Sequence, residues 1–266
     1  VEVGPGTYAE GATITLSIPL TLISTDGAAS TQLDGASQHR ILIISAEDVL
    51  VSGFTFKNGN YNPGGGGGIG AVAQSSSIIE DCIFEENLAL SGGAIYVTAS
   101  RTGFVTTLLA RRCTFIRNHA DDAGGAIAVM VGATGFVEDC TFEENHADVY
   151  GGGLFTYQAE SHTSNSLFLR NTSVDVAGAI CAAEASGTTL NNTIVDSTSP
   201  GTISGSVILL DSPNNLTERN IIVGDTAGYG LRVHGASSLT SHACNLYWGN
   251  AAGPIGGHPL TADEIV

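Results

Sequence analysis

The residues best suited to chemistry lie in a tetrapeptide that occurs twice. The sequence Asn-His-Ala-Asp is found at residues 118–121, where Asp122 follows it, and again at residues 145–148. Two imidazoles with nearby carboxylates form a ligand set for Zn²⁺ or a similar cation. The alternative is a repeated turn whose side chains are solvated, and apart from such a divalent cation, Zn²⁺ or Ca²⁺, we expect no cofactor. If the two copies stack, the candidate metal ligands are His119, Asp121, Asp122, His146 and Asp148.

A strip of large side chains lies on a strand that follows paired small residues. If Ile95, Ile127 and Leu154 point inward, period-two alternation turns their neighbours outward. An exposed strip of this kind suits stacking against a sugar or contact with another chain. It is covered instead if the loop near Thr98–Phe104 folds over it, or if the strand parity is reversed. The candidate binding residues are Tyr96, Met130, Phe155 and Tyr157.

These side chains belong to a unit that recurs through most of the chain. Clear copies begin at Cys82, Cys113 and Cys140, and a more divergent copy begins at Ser166. Each copy has a Phe two positions on, an Asn three positions after that, and then a small-residue pair followed by an aliphatic residue. Fixed self-similarity of this length is typical of a solenoid.

Two columns of residues set the period, and the first has steps of 24 to 31 residues. Short period-two segments separated by turn residues, without any long stretch at helical period, indicate a parallel β-helix with about three strands per turn. The first column runs through Phe54, Cys82, Cys113, Cys140, Ser166, Thr193, Asn220 and Cys244, and the second through Ile69, Ile95, Ile127, Leu154, Ile180, Val207 and Leu231.

The columns assign structural positions to most of the repeat. The Phe and Cys side chains face the interior, where in-register cysteines are too far apart for disulfides and stay free. The Asn side chains form an amide ladder at a corner where the Asn backbone adopts the left-handed conformation. The glycine pairs permit positive φ and close approach between turns. These positions are Phe84, Phe115, Phe142 and Phe168; Asn87, Asn118, Asn145 and Asn171; and Gly92–Gly93, Gly124–Gly125 and Gly151–Gly152.

Charged residues support this register. Like charges about 5 Å apart in a parallel stack repel each other, so alternating sign favours one register over a slipped one. Each exposed pair contributes about 0–1 kcal/mol. The alternating sets are Glu86, Arg117, Glu144 and Arg170, and the pairs Glu80–Asp81, Arg111–Arg112 and Glu138–Asp139.

Composition limits the possible partners. The 266 residues include 26 acidic and nine basic ones, which gives a formal charge of −17. Such a surface repels nucleic acid and anionic membranes, and we expect neither as a partner. The 42% of apolar residues suffices for a core, and 35 glycines suit many tight turns. The chain begins and ends within the repeat pattern, so we interpret it as a mature or excised segment.

The units Phe84–Asn87 with Gly92–Ile95, and Phe115–Asn118 with Gly124–Ile127, resemble the repeat of the polymorphic outer-membrane protein family. More broadly, the chain resembles right-handed parallel β-helix proteins of the pectin-lyase-like superfamily. We therefore predict a single all-β domain over residues 1–266, a right-handed parallel β-helix solenoid of about ten coils. Residues 1–50 form its first coils, residues 51–250 its regular repeats and residues 251–266 a C-terminal segment.

The resemblance also implies two kinds of enzyme to test against the residues. Hydrolysis as in polygalacturonases needs clustered carboxylates, but Asp121–Asp122 and Arg232–Gly235 lie about four turns apart, too far to act on one bond. Elimination as in pectate lyases needs Ca²⁺-binding carboxylates beside a basic residue, and Arg111–Arg112 between acidic pairs has that composition. The alternating charges explain the same residues, and we predict no catalytic residue.

The family resemblance implies an extracellular or cell-surface location. We predict a non-catalytic protein that is adhesive, glycan-contacting or structural, and the alternative is a polysaccharide lyase or glycoside hydrolase of the same superfamily. The expected partners are carbohydrate or another surface protein chain. Because the two ends of a solenoid are open sheet edges, end-to-end or lateral self-association is also expected, and Pro254–Pro259 could blunt one end.

Overall fold

The short period-two segments form parallel strands that stack one turn above the next. A computed structural model describes residues 1–9, 11–99 and 105–257. The strands form three sheets of ten strands, named A, B and C here, and a fourth, D, of five strands. Each central turn runs through A, B, D and C in that order. The ten parallel strands in each of sheets A, B and C confirm the predicted parallel β-helix of about ten coils.

The strands of each sheet are given in chain order. Sheet A contains Glu2–Val3, Leu20–Ser24, Val49–Ser52, Ser76–Glu80, Thr106–Arg111, Ala133–Glu138, Glu160–Ser164, Ser186–Leu190, Asn215–Glu218 and Leu239–Ser241. Sheet B contains Gly6–Tyr8, Thr31–Asp34, Thr55–Lys57, Ile83–Glu85, Thr114–Ile116, Thr141–Glu143, Leu167–Leu169, Thr193–Val195, Ile221–Val223 and Leu246–Trp248. Sheet C contains Ile14–Leu16, Leu42–Ile44, Ile69–Ala71, Ile95–Thr98, Ile127–Met130, Leu154–Tyr157, Ile180–Ala183, Gly205–Leu210, Tyr229–His234 and Gly253–Gly256. Sheet D contains Asn60–Gly65, Leu88–Ser91, His119–Ala123, His146–Ala147 and Thr172–Ser173.

The register of sheet C confirms the second column from Ile69 to Leu231. The first column is right from Phe54 to Ser166 but one residue off at two later positions. Because Thr193 pairs with Leu167, the residue that follows Ser166 in the column is Asn192. Likewise Leu246 pairs with Ile221, which puts Asn245 rather than Cys244 after Asn220.

A stack of phenylalanines fills the interior beside sheet B. Neighbouring ring centroids are 4.4 to 5.0 Å apart, and the ring planes lie within 13° of each other. All of these rings are fully buried. Burying a side chain of this size contributes about 2–3 kcal/mol, so the stack supplies a large part of the hydrophobic stabilisation. Its members are Phe56 and the four predicted residues Phe84, Phe115, Phe142 and Phe168.

The predicted asparagine ladder is present, with a different backbone from the one expected. Asn118 Nδ2 donates to Asn145 Oδ1 at 2.9 Å, and Asn145 Nδ2 donates to Asn171 Oδ1 at 2.9 Å. The positive φ falls on the preceding charged residue, for example Arg117 at 50° and Glu144 at 56°, and not on the Asn. The corner residue points outward and bears the charge, so the Asn side chain is free to turn inward.

A second ladder continues the cysteine column. Asn192 Nδ2 donates to Asn220 Oδ1, and Asn220 Nδ2 donates to Asn245 Oδ1, both at 3.1 Å. These amides take over the corner between sheets A and B where earlier turns have a buried thiol. The predicted free, buried cysteines are confirmed at Cys82, Cys113 and Cys140, and Cys181 is buried and free as well. Burial raises the pKa of the Cys113 thiol, so it is an unreactive apolar group.

The charged residues form ion pairs along the outer surface. Arg117 contacts Glu85 at 2.5 Å and Glu86 at 3.3 Å. Two turns later, Arg170 makes the equivalent contacts with Glu143 and Glu144. Arg112 lies 2.8 Å from Asp81, and its hydrogen bond lowers the pKa of that carboxyl. The alternation of charge therefore reflects pairing between neighbouring turns.

Two predicted features reach beyond the described residues. The insertion at Thr98–Phe104 lies mostly in residues 100–104, and the end of the Pro254–Pro259 segment lies in residues 258–266, both outside the described ranges. Among the residues that are described, no helix is long and apolar enough to cross a membrane.

Candidate functional site

The outer face of sheet C carries the predicted strip of large side chains. Ile95, Ile127 and Leu154 are fully buried in the interior, so their strand neighbours turn outward as the parity predicts. Met130 and Tyr157 are register partners on adjacent turns. These two residues are half-buried and line one side of a pocket of about 370 Å³.

Three aromatic rings form the apolar part of this pocket. Phe155 lies beneath Tyr150, with ring centroids 5.4 Å apart, and beside Tyr157, with centroids 6.4 Å apart and planes within 5°. Tyr150 belongs to the turn that leads from sheet D to sheet C, and this turn covers Phe155 to 5% exposure. Phe155 is therefore part of a second apolar cluster, which is separate from the interior of the β-helix. Tyr150 and Tyr157 present the accessible ring surface.

Three carboxylates complete the pocket: Asp122, Glu184 and Asp211. Burial raises the pKa of Asp122 above its ordinary value. Burial also raises the pKa of the Tyr150 hydroxyl, and the nearby carboxylates of Asp122 and Asp175 act in the same direction. Glu184 and Asp211 are exposed; Glu184 accepts a hydrogen bond from Gln158 Nε2 at 2.7 Å, and Asp211 accepts one from Ala236 N at 2.7 Å.

Replacing Asp122 by Asn should stabilise the protein at neutral pH. A carboxyl whose folded-state pKa is raised destabilises the fold once the pH exceeds that pKa, because the folded state then carries a desolvated charge. Below the ordinary carboxyl range both folded and unfolded states are protonated, and the difference disappears. Melting temperatures of wild type and Asp122→Asn between about pH 3 and about pH 8 measure this effect. A difference that stays constant over that range would contradict it.

Tyr96 lies away from the pocket, two turns before Phe155 in the register of sheet C. It is half-buried on the outer face, close to the Arg40 and Tyr61 side chains. The Arg40 guanidinium stacks 3.8 Å above the Tyr61 ring and donates through Nε to the carbonyl of Gly66 at 2.9 Å. Burial lowers the pKa of Arg40, which the charges of Tyr61 and Tyr96 partly oppose. The structure thus groups Met130, Phe155 and Tyr157 and separates Tyr96 from them.

The repeated tetrapeptide places four of its five candidate ligands together on sheet D. His119 and His146 are register partners, and Asp121 and Asp148 approach their ring nitrogens to within 3.6 Å. Asp122 follows Asp121 directly, and because side chains alternate along a strand it turns to the pocket instead. Metal binding and sugar binding at the named residues both stay predictions.

The residues considered for catalysis are held by structural contacts or lie apart. Arg111 and Arg112 both form ion pairs with Glu80, at 2.6 and 2.9 Å. In the register of sheet C, Arg232 lies four strands after Ala128, and Ala128 is on the strand that follows Asp122. Four strand spacings are about 19 Å, beyond the reach of two groups acting on one glycosidic bond.

Sequence analysis missed Tyr150, Glu184 and Asp211. Tyr150 occupies the position of Ala123 in the preceding turn, where a small residue packs against the sheet. The aromatic residue just before the Gly151–Gly152 pair was the available signal. Glu184 and Asp211 follow the ends of sheet C strands and carry no motif that would have selected them.

Comparisons with known proteins agree on the architecture. The family described as the right-handed β-helix region matches residues 23–172 and 112–257. No curated protein matches the chain. The alginate lyase AlyF-OU02 is similar over 99% of this chain and 56% of its own, with 14% identity and a TM-score of 0.53.

Two further solved structures cover nearly the whole chain. The catalytic domain of a GH87 α-1,3-glucanase in complex with nigerose has 8% identity and a TM-score of 0.51, over 99% of this chain and 62% of that one. A mannuronan C-5 epimerase A-module from Azotobacter vinelandii has 14% identity and a TM-score of 0.42, over 100% of this chain and 88% of that one.

The chain spans about half of the alginate lyase, and identities this low show the fold alone. The predicted right-handed parallel β-helix is confirmed, and the alginate lyase shares this fold, while the likeness to polymorphic outer-membrane protein repeats stays a resemblance of motifs. The family match spans most of the described residues and agrees with the parallel sheets, the inward phenylalanines and the turn-by-turn register. This chain belongs to the right-handed β-helix family.

Proposed function

We propose that this protein is a non-catalytic, carbohydrate-contacting β-helix protein that works outside the cell or at its surface. The observation that carries the proposal is the pocket on sheet C, where Tyr150 and Tyr157 offer ring surface above a buried Phe155. Aromatic rings provide an apolar face for a sugar ring, and nearby carboxylates accept hydrogen bonds from its hydroxyls.

The charge of the pocket favours a neutral sugar. Asp122, Glu184 and Asp211 contribute three carboxylates, and none of the described lining residues is Lys or Arg. The whole chain carries a formal charge of −17. A polyuronate would place its own carboxylates against this surface, and like charges brought together cost several kcal/mol. We therefore expect gluco-, galacto-, manno- or xylo-configured glycans to bind better than alginate or pectate.

The contacts of the carboxylates favour binding over hydrolysis. Asp122 lies on the turn of Ile127–Met130, and Glu184 follows the strand Ile180–Ala183, two turns further along the stack. Two strand spacings separate their turns by about 9.5 Å, the upper limit of the separations of about 5–9.5 Å that glycosidases use. Glu184 and Asp211 are engaged by hydrogen bonds from neighbouring turns, which they accept from Gln158 and from the backbone of Ala236.

A glycoside hydrolase is the second candidate, because of one residue. The raised pKa of Asp122 is the property of a general acid, and this carboxyl lies inside the pocket. Lyase chemistry has less support, since Arg111 and Arg112 are engaged in ion pairs with Glu80. Contact with another surface protein chain and self-association through the sheet edges at either end remain predictions.

The Tyr157→Ala variant should weaken glycan binding at least about tenfold, because it removes exposed ring area from the centre of the pocket. Isothermal titration with a panel of neutral oligosaccharides and with oligoalginate and oligopectate measures the affinity and the preference. Phe136→Ala is the matched control, since Phe136 is an exposed aromatic residue on the outer face of sheet A. It should leave binding unchanged.

Three outcomes would overturn this proposal. Binding that Phe136→Ala abolishes and Tyr157→Ala does not would place the site on sheet A. Tighter binding of polyuronates than of neutral glycans would contradict the electrostatic argument. Release of shorter oligosaccharides during the titration, lost in Asp122→Asn, would establish the hydrolase instead, and chromatography of the titrated samples detects it.

A further inference from the structure

The strands of sheet D bring two imidazoles and two carboxylates to one accessible position. His119 and His146 are partners on adjacent turns, with ring centroids 5.2 Å apart. Asp121 and Asp148 each lie two residues after one of these histidines, so alternation returns their side chains to the same face. Asp122 turns to the carbohydrate pocket, and the four other residues take no part in that pocket.

The ligand atoms of His119, His146 and Asp148 are close enough to share one metal ion, and Asp121 contacts His119. His119 Nε2 lies 3.1 Å from Asp121 Oδ1 and 3.6 Å from Asp148 Oδ1, and His146 Nε2 lies 3.3 Å from Asp148 Oδ1. One atom each from His119, His146 and Asp148 all lie within 4.8 Å of one another. Zinc–ligand bonds of about 2.0–2.2 Å place neighbouring tetrahedral ligands about 3.3–3.6 Å apart.

Neighbouring residues orient two of the ligands. His146 Nδ1 lies 2.8 Å from Thr172 Oγ1, so a proton on Nδ1 can be donated to the hydroxyl while the Nε2 lone pair stays available to a metal. Asn62 Nδ2 donates to Asp121 Oδ2, which leaves Oδ1 facing His119. Supporting hydrogen bonds of this kind fix the tautomer and rotamer of metal ligands.

We propose that His119, His146 and Asp148 bind one divalent transition-metal cation, with Asp121 drawn in from beside His119 as the fourth ligand, and that Zn²⁺ is the best match. Two neutral imidazoles and two carboxylates supply the charge that balances a divalent ion. The nitrogen ligands favour Zn²⁺ over Ca²⁺, which takes six to eight oxygens. The four side chains are 35 to 48% exposed, so an ion can reach the site from solvent.

Sheet A contains a matched control for this site, His162. Its Nε2 lies 3.1 Å from Glu160, and its Nδ1 lies 3.1 Å from Thr188 Oγ1. His162 therefore has a carboxylate on one nitrogen and a threonine on the other, as His146 has. It stacks on Phe136 rather than on a second histidine. A single imidazole–carboxylate pair should not hold the metal.

Titration of the whole protein with ZnCl₂ and with CaCl₂ tests the proposal, alongside Co²⁺ absorption spectra. Wild type should bind one Zn²⁺ and give the intense visible bands of tetrahedral Co²⁺. His119→Ala and Asp148→Asn should each weaken Zn²⁺ binding at least about tenfold, with unchanged circular dichroism spectra. His162→Ala should bind as wild type does, and CaCl₂ should give no saturable binding.

Several results would overturn the site. They are no saturable Zn²⁺ binding in wild type, equal affinity in His119→Ala, equal loss in His162→Ala, or octahedral Co²⁺ spectra. Should His119→Ala fail to fold, Asp148→Asn decides, because Asp148 is exposed and its removal leaves the buried ladders intact. A metal-induced rise in melting temperature that is absent in Asp148→Asn gives the same answer by an independent readout.

Discussion

Replacing Asn145 by Ala should lower the free energy of unfolding by roughly 3–5 kcal/mol, since each buried group left unpaired costs about 1–3 kcal/mol. Asn145 Nδ2 donates to Phe115 O at 3.0 Å and to Asn171 Oδ1 at 2.9 Å. Its Oδ1 accepts from both the backbone N and the Nδ2 of Asn118, at 3.0 and 2.9 Å. The three asparagines are fully buried, so water cannot replace these bonds. Urea unfolding measures the loss, provided that the slope of the unfolding free energy against urea concentration is the same for both proteins.

Two comparison variants show whether the ladder causes the effect. Asn60→Ala removes a half-buried amide with one bond to the carbonyl of Ser37, and should cost under about 1 kcal/mol. Asn145→Asp keeps the shape and the acceptor but loses both donors and buries a charge. Its stability should rise as the pH falls, because protonation removes that charge and restores one donor. A loss in Asn145→Ala no larger than in Asn60→Ala would contradict the ladder's role.

The ladders were predictable because a parallel stack repeats one environment from turn to turn. An inward Phe115 requires an inward residue above and below it, and the sequence provides Phe84 and Phe142 at the matching positions. The prediction failed where side-chain type changed. At Asn192 and Asn245 an amide replaces the cysteine, and the predicted column contains the neighbouring Thr193 and Cys244 instead.

The backbone at the corner was predicted wrongly for a related reason. Asn is the common non-glycine residue in the left-handed region, which pointed to Asn118. The structure puts Arg117 there, at φ 50°, since its side chain reaches out to Glu85 and Glu86. Burial of the amide ladder outweighs the local preference of Asn. Tertiary contacts therefore decide which of two adjacent residues bears the strain.

The candidate sites differ in how much of each is local. The cluster of histidines and aspartates on sheet D follows from one repeated motif and one register, so it could be predicted except for the side on which Asp122 lies. The pocket depends on two connections, one before and one after the strands of sheet C. Tyr150 lies in the first and Glu184 in the second, and only the fold shows that both reach Phe155 and Tyr157. The alternation of side chains along the strands identifies the strip of large residues, but not the residues that complete the pocket around it.

Replacing Gly125 by Ala should destabilise the protein by at least about 3 kcal/mol, because backbone would have to move. A Cβ there would contact the carbonyl oxygen of Gly152 and lie 2.5 Å from that of His146, both on the next turn. These oxygens belong to a main chain that is paired with further turns, so they can give way only if neighbouring turns separate. Thermal and urea unfolding of Gly125→Ala measure the cost.

Gly132→Ala separates steric approach from backbone conformation. Gly132 has φ of 73°, but among the described residues a Cβ there meets only the Cβ of Ala99, at 3.3 Å. It should cost about 1–2 kcal/mol, the penalty for an L-residue in the left-handed region. Separation of the turns at Gly125 should also draw His146 away from His119 and weaken Zn²⁺ binding, which Gly132→Ala should preserve. If both variants lose equal stability, close approach of the turns is not what makes Gly125 necessary.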